Sequence, residues 1–521
     1  MTKKLTVGIS SFKELITGNF LYVDKTRSIY DLFKDGGRFF FLARPRRFGK
    51  TLLISTLKEL FEGNRELFKG LWIDSSDYAW EKHTVLTFNF SARESSSSAK
   101  FTESLEYIIN ETGEKFGINL SKAPSYKDKL ETLVTRLADK EKVVILVDEY
   151  DFPVISNIHN SVVMQENLKI LKGFFTAVKA VDHSLRAIFI TGVSQIPKAS
   201  IFTGLSDLNN ISLDPLGATL LGYTKEEVES YFSNSIMTLA GQQKISYNAM
   251  LNKIQLWYNG YRFSKKDVTV YNPFSLHCLF TKQEFDNYWF QSATPSFLFE
   301  LLKKNDYIVK DVEESKLSSG SLTSISLENP RLSSLLFQTG YLTISSYDEE
   351  TRLYTVKSPN LEVGQSYGVS LLSAITQQTS EDLQTSGYSM RAALKRCDLE
   401  EVCSLLQVVF ASIPYYIDNK QQEAHYHALV SVFMMSAGLK PECEVATNRG
   451  RADLVLCTQE YVYIFEIKVK ASAESALQQI EEMKYYERFK EDKNKRTIVL
   501  VGLAFNKRKG ESSLSCASRV L

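Results

Sequence analysis

Two groups of residues in this chain have the types and spacing that chemistry on phosphates requires. Near the C-terminus, Asp453 opens one apolar run and Glu466-Ile467-Lys468 lies on the next. Side chains alternate along a strand, so Glu466 and Lys468 share a face. The short polar stretch at 458–460 predicts a hairpin that brings Asp453 beside Glu466. Two carboxylates at close range repel unless a cation sits between them, and oxygen ligands favour Mg²⁺, with Mn²⁺ as an alternative. The Ile467 carbonyl would complete that ligand set. Such an ion activates a water and stabilises charge on a scissile phosphate, while Lys468 orients the water or balances charge. Glu423 on the preceding helix and Gln479 on the following one are accessory candidates. Glu-x-Lys on one strand face is also an ordinary ion pair. The Asp before it, the leading Glu and the order of elements favour the catalytic reading.

The second group lies near the N-terminus. Arg44-Pro45-Arg46-Arg47-Phe48-Gly49-Lys50-Thr51 stands between an apolar run and a helical stretch, the setting of a phosphate-binding loop. Backbone N–H groups at a helix start favour anions, Lys50 would reach the outer phosphates, and Thr51 would ligate Mg²⁺. The GxxxxGK[ST] pattern calls for Gly where Arg44 stands. Downstream, Val143–Val147 is an apolar strand ending in Asp148-Glu149. There Asp148 would hold the Mg²⁺ shell and Glu149 would polarise the attacking water of ATP hydrolysis. The strand over Ala187–Val193 offers Thr191 and Ser194 as γ-phosphate sensors, with an ordinary strand-end turn as the equal alternative. Arg46 and Arg47 could neutralise phosphate, or face solvent, or pair with Asp24 or Asp31.

The elements that must position these residues follow from apolar patterning. Runs at Phe39–Leu42, Val85–Phe90, Val143–Val147 and Ala187–Val193 alternate with helical stretches, as in a mostly parallel α/β sheet buried on both faces. An aromatic-rich helical region, 221–315, reads as a lid, and its Trp257–Tyr261 block as packing. Ser318–Ser326 reads as a linker, Tyr341–Ser346 and Arg352–Lys357 as a hairpin, and most of Gly364–Phe410 as helix. The tail, from 416, reads as α-β-β-β-α-β: a helix at Gln421–Ala437, strands at Glu442–Thr447, Ala452–Cys457 and Tyr461–Val469, a helix at Glu474–Lys490 and a strand at Thr497–Phe505. His425 and His427, two apart on a helix, do not share a face as zinc ligands would.

Phe41-Leu42-Ala43-Arg44-Pro45-Arg46-Arg47-Phe48-Gly49-Lys50-Thr51, Tyr22-Val23-Asp24-Lys25-Thr26 and Val147-Asp148-Glu149-Tyr150-Asp151 together resemble the signature of bacterial AAA-ATPase-like proteins with a C-terminal PD-(D/E)XK nuclease domain. So do Trp257-Tyr258-Asn259-Gly260-Tyr261-Arg262-Phe263, Tyr271-Asn272-Pro273-Phe274-Ser275 and Leu336-Phe337-Gln338-Thr339-Gly340-Tyr341-Leu342-Thr343. In that family the Arg-Pro-Arg-Arg-Phe-Gly-Lys loop is the usual form. The resemblance implies a P-loop ATPase core over 1–220, the lid, a connecting region over 316–415, and a restriction-endonuclease-like domain over 416–521. It makes Asp453, Glu466 and Lys468 the catalytic trio, with Glu423, Gln479 and Tyr485 accessory.

Composition bounds the partners. The 521 residues carry 62 Lys+Arg against 61 Asp+Glu, a net charge of +1, so nucleic-acid contact must come from local patches. One such patch runs from Lys484 to Lys509, with nine basic against three acidic residues and Tyr485, Tyr486 and Phe489 interleaved. Those aromatics could equally be core. No apolar run is long enough for a membrane span, and the six scattered cysteines, without a CxxC pair, predict reduced thiols in a cytoplasmic protein. The expected activity is ATP binding and hydrolysis joined to metal-dependent cleavage of nucleic acid, DNA above all. The alternatives are a nucleotide switch that does not turn over and a non-enzymatic interaction protein with relic sites. A homo-oligomer is compatible with shared ATP sites.

Overall fold

Runs of large apolar residues fix the first sheet. β1 (Phe39–Ala43), β2 (Val85–Asn89), β3 (Val143–Asp148), β4 (Leu185–Gly192) and the two-residue β5 (Asn209–Asn210) pair in parallel in the order β2-β3-β4-β1-β5. Every residue of β1 and β3 is buried, as the unbroken apolar runs predicted. Parallel neighbours need crossover connections. Here α1 (Lys50–Phe61), α2 (Ser98–Lys115), α3 (Tyr126–Ala138) and α4 (Ser161–Ala180) fill them. The computed structural model describes the chain apart from residues 1–2, 198–200, 204, 206, 294–314, 326–330, 377, 414–422, 492–495 and 509–510.

The chain divides into two compact units, Met1–Tyr288 with Ser315–Pro359, and Trp289–Glu314 with Asn360–Leu521. In the first, α5 (Lys225–Gln243), α6 (Tyr247–Tyr258) and α7 (Pro273–Lys282) share an apolar cluster. α5 begins in a capping box between Thr224 and Glu227, and Lys25 of the Tyr-Val-Asp-Lys-Thr motif pairs with Glu227 at 2.6 Å. Ser318–Ser326 is not a linker over its described part. Just before it, β6 (Lys316–Leu317), with Leu317 buried, pairs with the later hairpin; Ser319–Leu322 is helical, and Leu322 and Ile325 are buried between the serines. α8 (Leu332–Thr339) then leads into the antiparallel pair β7 (Thr343–Asp348) and β8 (Leu353–Lys357). The segment 316–415 is therefore divided: its hairpin lies in the first unit and its helices in the second.

In the second unit α9 (Leu361–Thr376), α10 (Ser380–Arg396), α11 (Leu399–Ala411) and α12 (Glu423–Ser436) precede a five-stranded mixed sheet. Gln421 and Gln422, where the α12 helix was expected to begin, lie outside the described residues. At Gly368 of α9, a Cβ would lie 2.7 Å from the Ser436 backbone nitrogen, so only glycine permits this approach of α9 and α12. β9 (Glu442–Ala446), β10 (Arg451–Cys457) and β11 (Tyr461–Val469) are antiparallel neighbours. α13 (Ala473–Met483) crosses to β12 (Thr497–Arg508), which is parallel to β11. The sequence pattern ended there, but β13 (Glu511–Val520) adds an antiparallel edge. Its Cys516 is joined to Cys403 of α11 across 113 residues, correcting the expectation that all six thiols are reduced. The packing of α11 on β13 brings the two Cα atoms to 6.3 Å, a proximity no sequence spacing shows. Among the described residues no helix is long and apolar enough to cross a membrane.

Candidate functional site

The front site lies at the carboxyl ends of β1, β3 and β4, where open α/β sheets bind ligands. Gly49 caps α1 with φ +90°, and Arg47 also takes a left-handed conformation, φ +67°. Thr51 donates to Asp148 Oδ2 at 2.7 Å, and Thr191 from β4 donates to Oδ1 at 2.6 Å, so one carboxylate ties α1, β3 and β4 together. Lys50 Nζ donates to the Arg44 and Pro45 carbonyls at 3.0 Å each. Burial pulls the Lys50 pKa down, against the opposing pull of Glu149, Asp148 and Asp151. Glu149 follows with φ +51°, a left-handed backbone uncommon for a side-chain-bearing residue and concentrated at functional sites.

Arg44, standing where the consensus has Gly, is 1% exposed. Its guanidinium donates to the carbonyls of Ala43 (2.8 Å), Ser212 (2.8 Å) and Gly217 (2.6 Å) and lies 4.1 Å over the Phe263 ring. Burial lowers its pKa to about 9, so it stays cationic at neutral pH. The loop is thus anchored from behind by a cation. Phe48 packs edge-on against Tyr261 (4.8 Å) and Phe263 (5.4 Å), so the Tyr261-Arg262-Phe263 segment braces the loop. Arg46 and Arg47 are exposed, Arg47 with its guanidinium 4.7 Å from the Phe274 ring centroid. Neither pairs with the expected carboxylates in the contacts seen at Asp24, which accepts from Thr26 and Trp72, or at Asp31, which binds Lys34. Ser194 is gripped by its backbone: its N–H goes to Asp151 at 2.7 Å and its carbonyl accepts from Tyr150 at 3.0 Å. The role of buried Asp151 escaped sequence reasoning, although it closes the Asp-Glu-Tyr-Asp run.

The rear site forms where β10 and β11 pair. Leu454 faces Phe465 across the hairpin, which sets Asp453 and Glu466 at adjoining positions. Asp453 Oδ2 accepts from the Ile467 N–H at 2.8 Å. The contact to Asp453 is therefore made by the Ile467 N–H; a ligand role for the Ile467 carbonyl remains a proposal. Glu466, with its side chain 2% exposed, takes Lys468 Nζ at 3.1 Å and the Gln479 amide on Oε1, while Oε2 is buried without a hydrogen bond. Lys468 Nζ also lies 3.5 Å from Glu423 Oε1. Gln479 reaches Tyr485, buried under α13, at 3.4 Å.

Electrostatics at this site are strained in one direction. Burial, then the neighbouring Asp453, pushes the Glu466 pKa up to about 7. Burial raises Asp453 as well, against the Ile467 N–H, His427 and Lys468. Partial burial would lower Lys468, but the Glu466 carboxylate, backed by Glu423 and Asp453, lifts it above its ordinary value. A divalent cation would relieve this repulsion, and the two carboxylates with the partnerless Glu466 Oε2 suit one. Among the described residues no three His, Cys, Asp or Glu side chains converge on such a point, so any remaining ligands would be carbonyls or waters.

The tail's other candidates separate. Tyr485 is core, and Tyr486 and Phe489 pack against the same apolar cluster. Lys490 and Arg488 sit over the Tyr486 and Phe489 rings, and Arg488 also donates to the Ala446 carbonyl. Lysines 493, 495 and 509 lie outside the described residues. His427, set aside from sequence as a metal ligand, is buried and bonds the Asp453 carbonyl. A signal was present: Glu423 and His427 are four apart and share a helix face.

Residues 6–202 match the family model described as Predicted AAA-ATPase, and residues 421–512 match the PD-(D/E)XK nuclease superfamily. A protein of Azotobacter chroococcum mcd 1, described as "Uncharacterized protein in vnfD 5'region", is 31% identical over 517 residues, 97% of each chain. With both domain matches in the expected order and a full-length relative, this chain belongs to the AAA-ATPase-like proteins that carry a C-terminal PD-(D/E)XK nuclease-superfamily domain.

Proposed function

We propose that the chain binds and hydrolyses ATP in its front unit and cleaves the phosphodiester backbone of nucleic acid, DNA in particular, in its C-terminal domain. The observation that carries the cleavage reading is the convergence of Asp453, Glu466 and Lys468, with Glu466 Oε2 buried and unbonded. Asp453 and Glu466 would hold Mg²⁺ or Mn²⁺. That ion, when bound, lowers the pKa of a water and draws charge from the phosphate. Lys468, tethered between Glu466 and Glu423, keeps its ammonium where negative charge develops. Gln479 fixes the Glu466 carboxylate, and His427 fixes the strand at Asp453.

In the front unit, Asp148 and Thr51 would hold the Mg²⁺ of the nucleotide, and Lys50 would exchange its two loop carbonyls for phosphate oxygens. Glu149 stands next to Asp148, where it can orient water, and Thr191 fixes Asp148 from behind. Arg46 and Arg47, exposed on the loop, would neutralise phosphate charge, and Ser194 is held near the strand end. A second reading is favoured by Arg44 and by the Lys50 contacts: a loop this firmly braced suits a switch that binds without turnover. Phosphate release by wild type against Glu149→Gln separates the two, since equal and negligible rates support the switch.

The cleavage reading is tested with linear, circular and single-stranded DNA in Mg²⁺ or Mn²⁺. Cutting by wild type that is lost in Asp453→Ala and Lys468→Ala supports it. Failure to cut any substrate supports an interaction protein with relic sites.

A further inference from the structure

The Leu336–Thr343 motif lies more than 140 residues beyond the sensor strand, yet it closes the hydrogen bonding of that strand's end. Past Thr191 the β4 backbone is gripped from two sides. On one side, Asp151 takes the Val193 and Ser194 N–H groups at 3.2 and 2.7 Å, and the Tyr150 hydroxyl bridges Ser194 O and Ile196 N. On the other side is Gln338 of α8, which is 4% exposed. Its Oε1 accepts the Gln195 N–H at 2.7 Å, and its Nε2 donates to the Leu322 carbonyl at 2.8 Å. Gln195 itself accepts Ile325 N–H on its carbonyl (2.9 Å) and Asn210 from β5 on its side chain (2.8 Å).

This position demands an amide. One partner is a donor and the other an acceptor, so the orientation of the Gln338 side chain is fixed, and neither a carboxylate nor an apolar group satisfies both. A buried N–H and a buried carbonyl would otherwise be orphaned. Phe189, Ile190 and Thr191 are all fully buried, and Thr191 still pairs with Leu42 of β1. What Gln338 restrains is therefore the stretch just past the strand, Val193–Ile196, whose seating sets how firmly the last turn of backbone holds Thr191 against Asp148.

We propose that Gln338 is a positioning residue for the nucleotide site: through the Gln195 backbone it fixes the end of β4 and hence the Thr191 hydroxyl on Asp148. The inference rests on the nucleotide-binding reading above. It makes the segment around α8 part of the nucleotide machinery rather than a spacer.

The test is a double-mutant cycle on the affinity for a fluorescent ATP analogue, with Mg²⁺ and with EDTA, using the full chain. Gln338→Met keeps side-chain length and removes both hydrogen bonds; Gln338→Glu at pH 8 serves if the Met variant does not fold. Gln338→Met and Thr191→Val are each expected to weaken Mg²⁺-dependent binding about tenfold, and the double variant no more than about twofold further. Affinity in EDTA should stay within about twofold, whereas general loosening of the fold would lower both alike. Losses that multiply to about a hundredfold, or an unchanged Gln338→Met, overturn the inference while leaving the nucleotide site standing. Wild type that binds no nucleotide under either condition overturns that reading and the inference with it.

Discussion

Replacing Glu466 with Gln should make the metal-free protein more stable at alkaline pH, although it deletes a residue of the proposed catalytic trio. In the folded chain the Glu466 carboxyl is lifted from an ordinary 4.5 to about 7, first by burial and then by Asp453. Between those values the native state retains a proton that the unfolded chain releases, so stability falls as pH rises through the window and is flat above it. A shift of this size corresponds to at most about 3 kcal/mol between pH 5 and pH 8. Asp453 is raised too, so its linkage has the same sign as that of Glu466, while Lys468, lifted above its ordinary value, titrates above the window and contributes nothing within it. For a unit of this size, 1 kcal/mol moves Tm by roughly 2–4 °C. Calorimetry in EDTA should therefore show the wild-type C-terminal transition falling by several degrees from pH 5 to pH 8. Glu466→Gln should flatten that fall and exceed wild type at pH 8. Mg²⁺ should restore wild type at pH 8 and not the variant. A wild-type transition flat across this range, or a Gln variant less stable than wild type at pH 8, would refute the electrostatic reasoning.

Three further outcomes follow from the same contacts. Arg44→Gly, which restores the consensus loop residue, should destabilise the front unit by about 2–4 kcal/mol. It leaves the Ser212 and Gly217 carbonyls without their cationic donor, and urea unfolding reads the loss. Cys516→Ser opens a link across 113 residues, which loop-entropy arguments value at about 4–5 kcal/mol. Its C-terminal transition should fall in oxidising buffer and match reduced wild type. His427→Ala should reduce metal-dependent DNA cutting at least about tenfold through displacement of Asp453, and His427→Gln should recover part of it, as steady-state assays would show.

Much of the fold was legible because its strands are unusual in composition. β1 and β3 are unbroken runs of Phe, Leu, Val and Ile, and the carboxylates that end β3 are marked by the switch to polar residues. The β10–β11 hairpin was legible too, since alternation along β11 places Glu466 and Lys468 on one face. β13 was missed because it is an edge strand: Leu514 is buried, but serines and exposed residues dilute the alternation. Ser318–Ser326 misled in the opposite way, since serine-rich composition hid two buried apolar residues, Leu322 and Ile325. Arg44, Asp151, Gln338 and His427 each act through at least one partner between 26 and 173 residues away, and a single sequence carries no record of such distances.

The central claim is that Asp453 and Glu466 together hold a divalent cation beside Lys468. Crystals grown with Mn²⁺ and measured at its absorption edge test this directly. The account predicts an anomalous peak in contact with both carboxylates in wild type and none there in Asp453→Asn. A wild-type map without a peak between these side chains, at Mn²⁺ concentrations that support cutting, would contradict it.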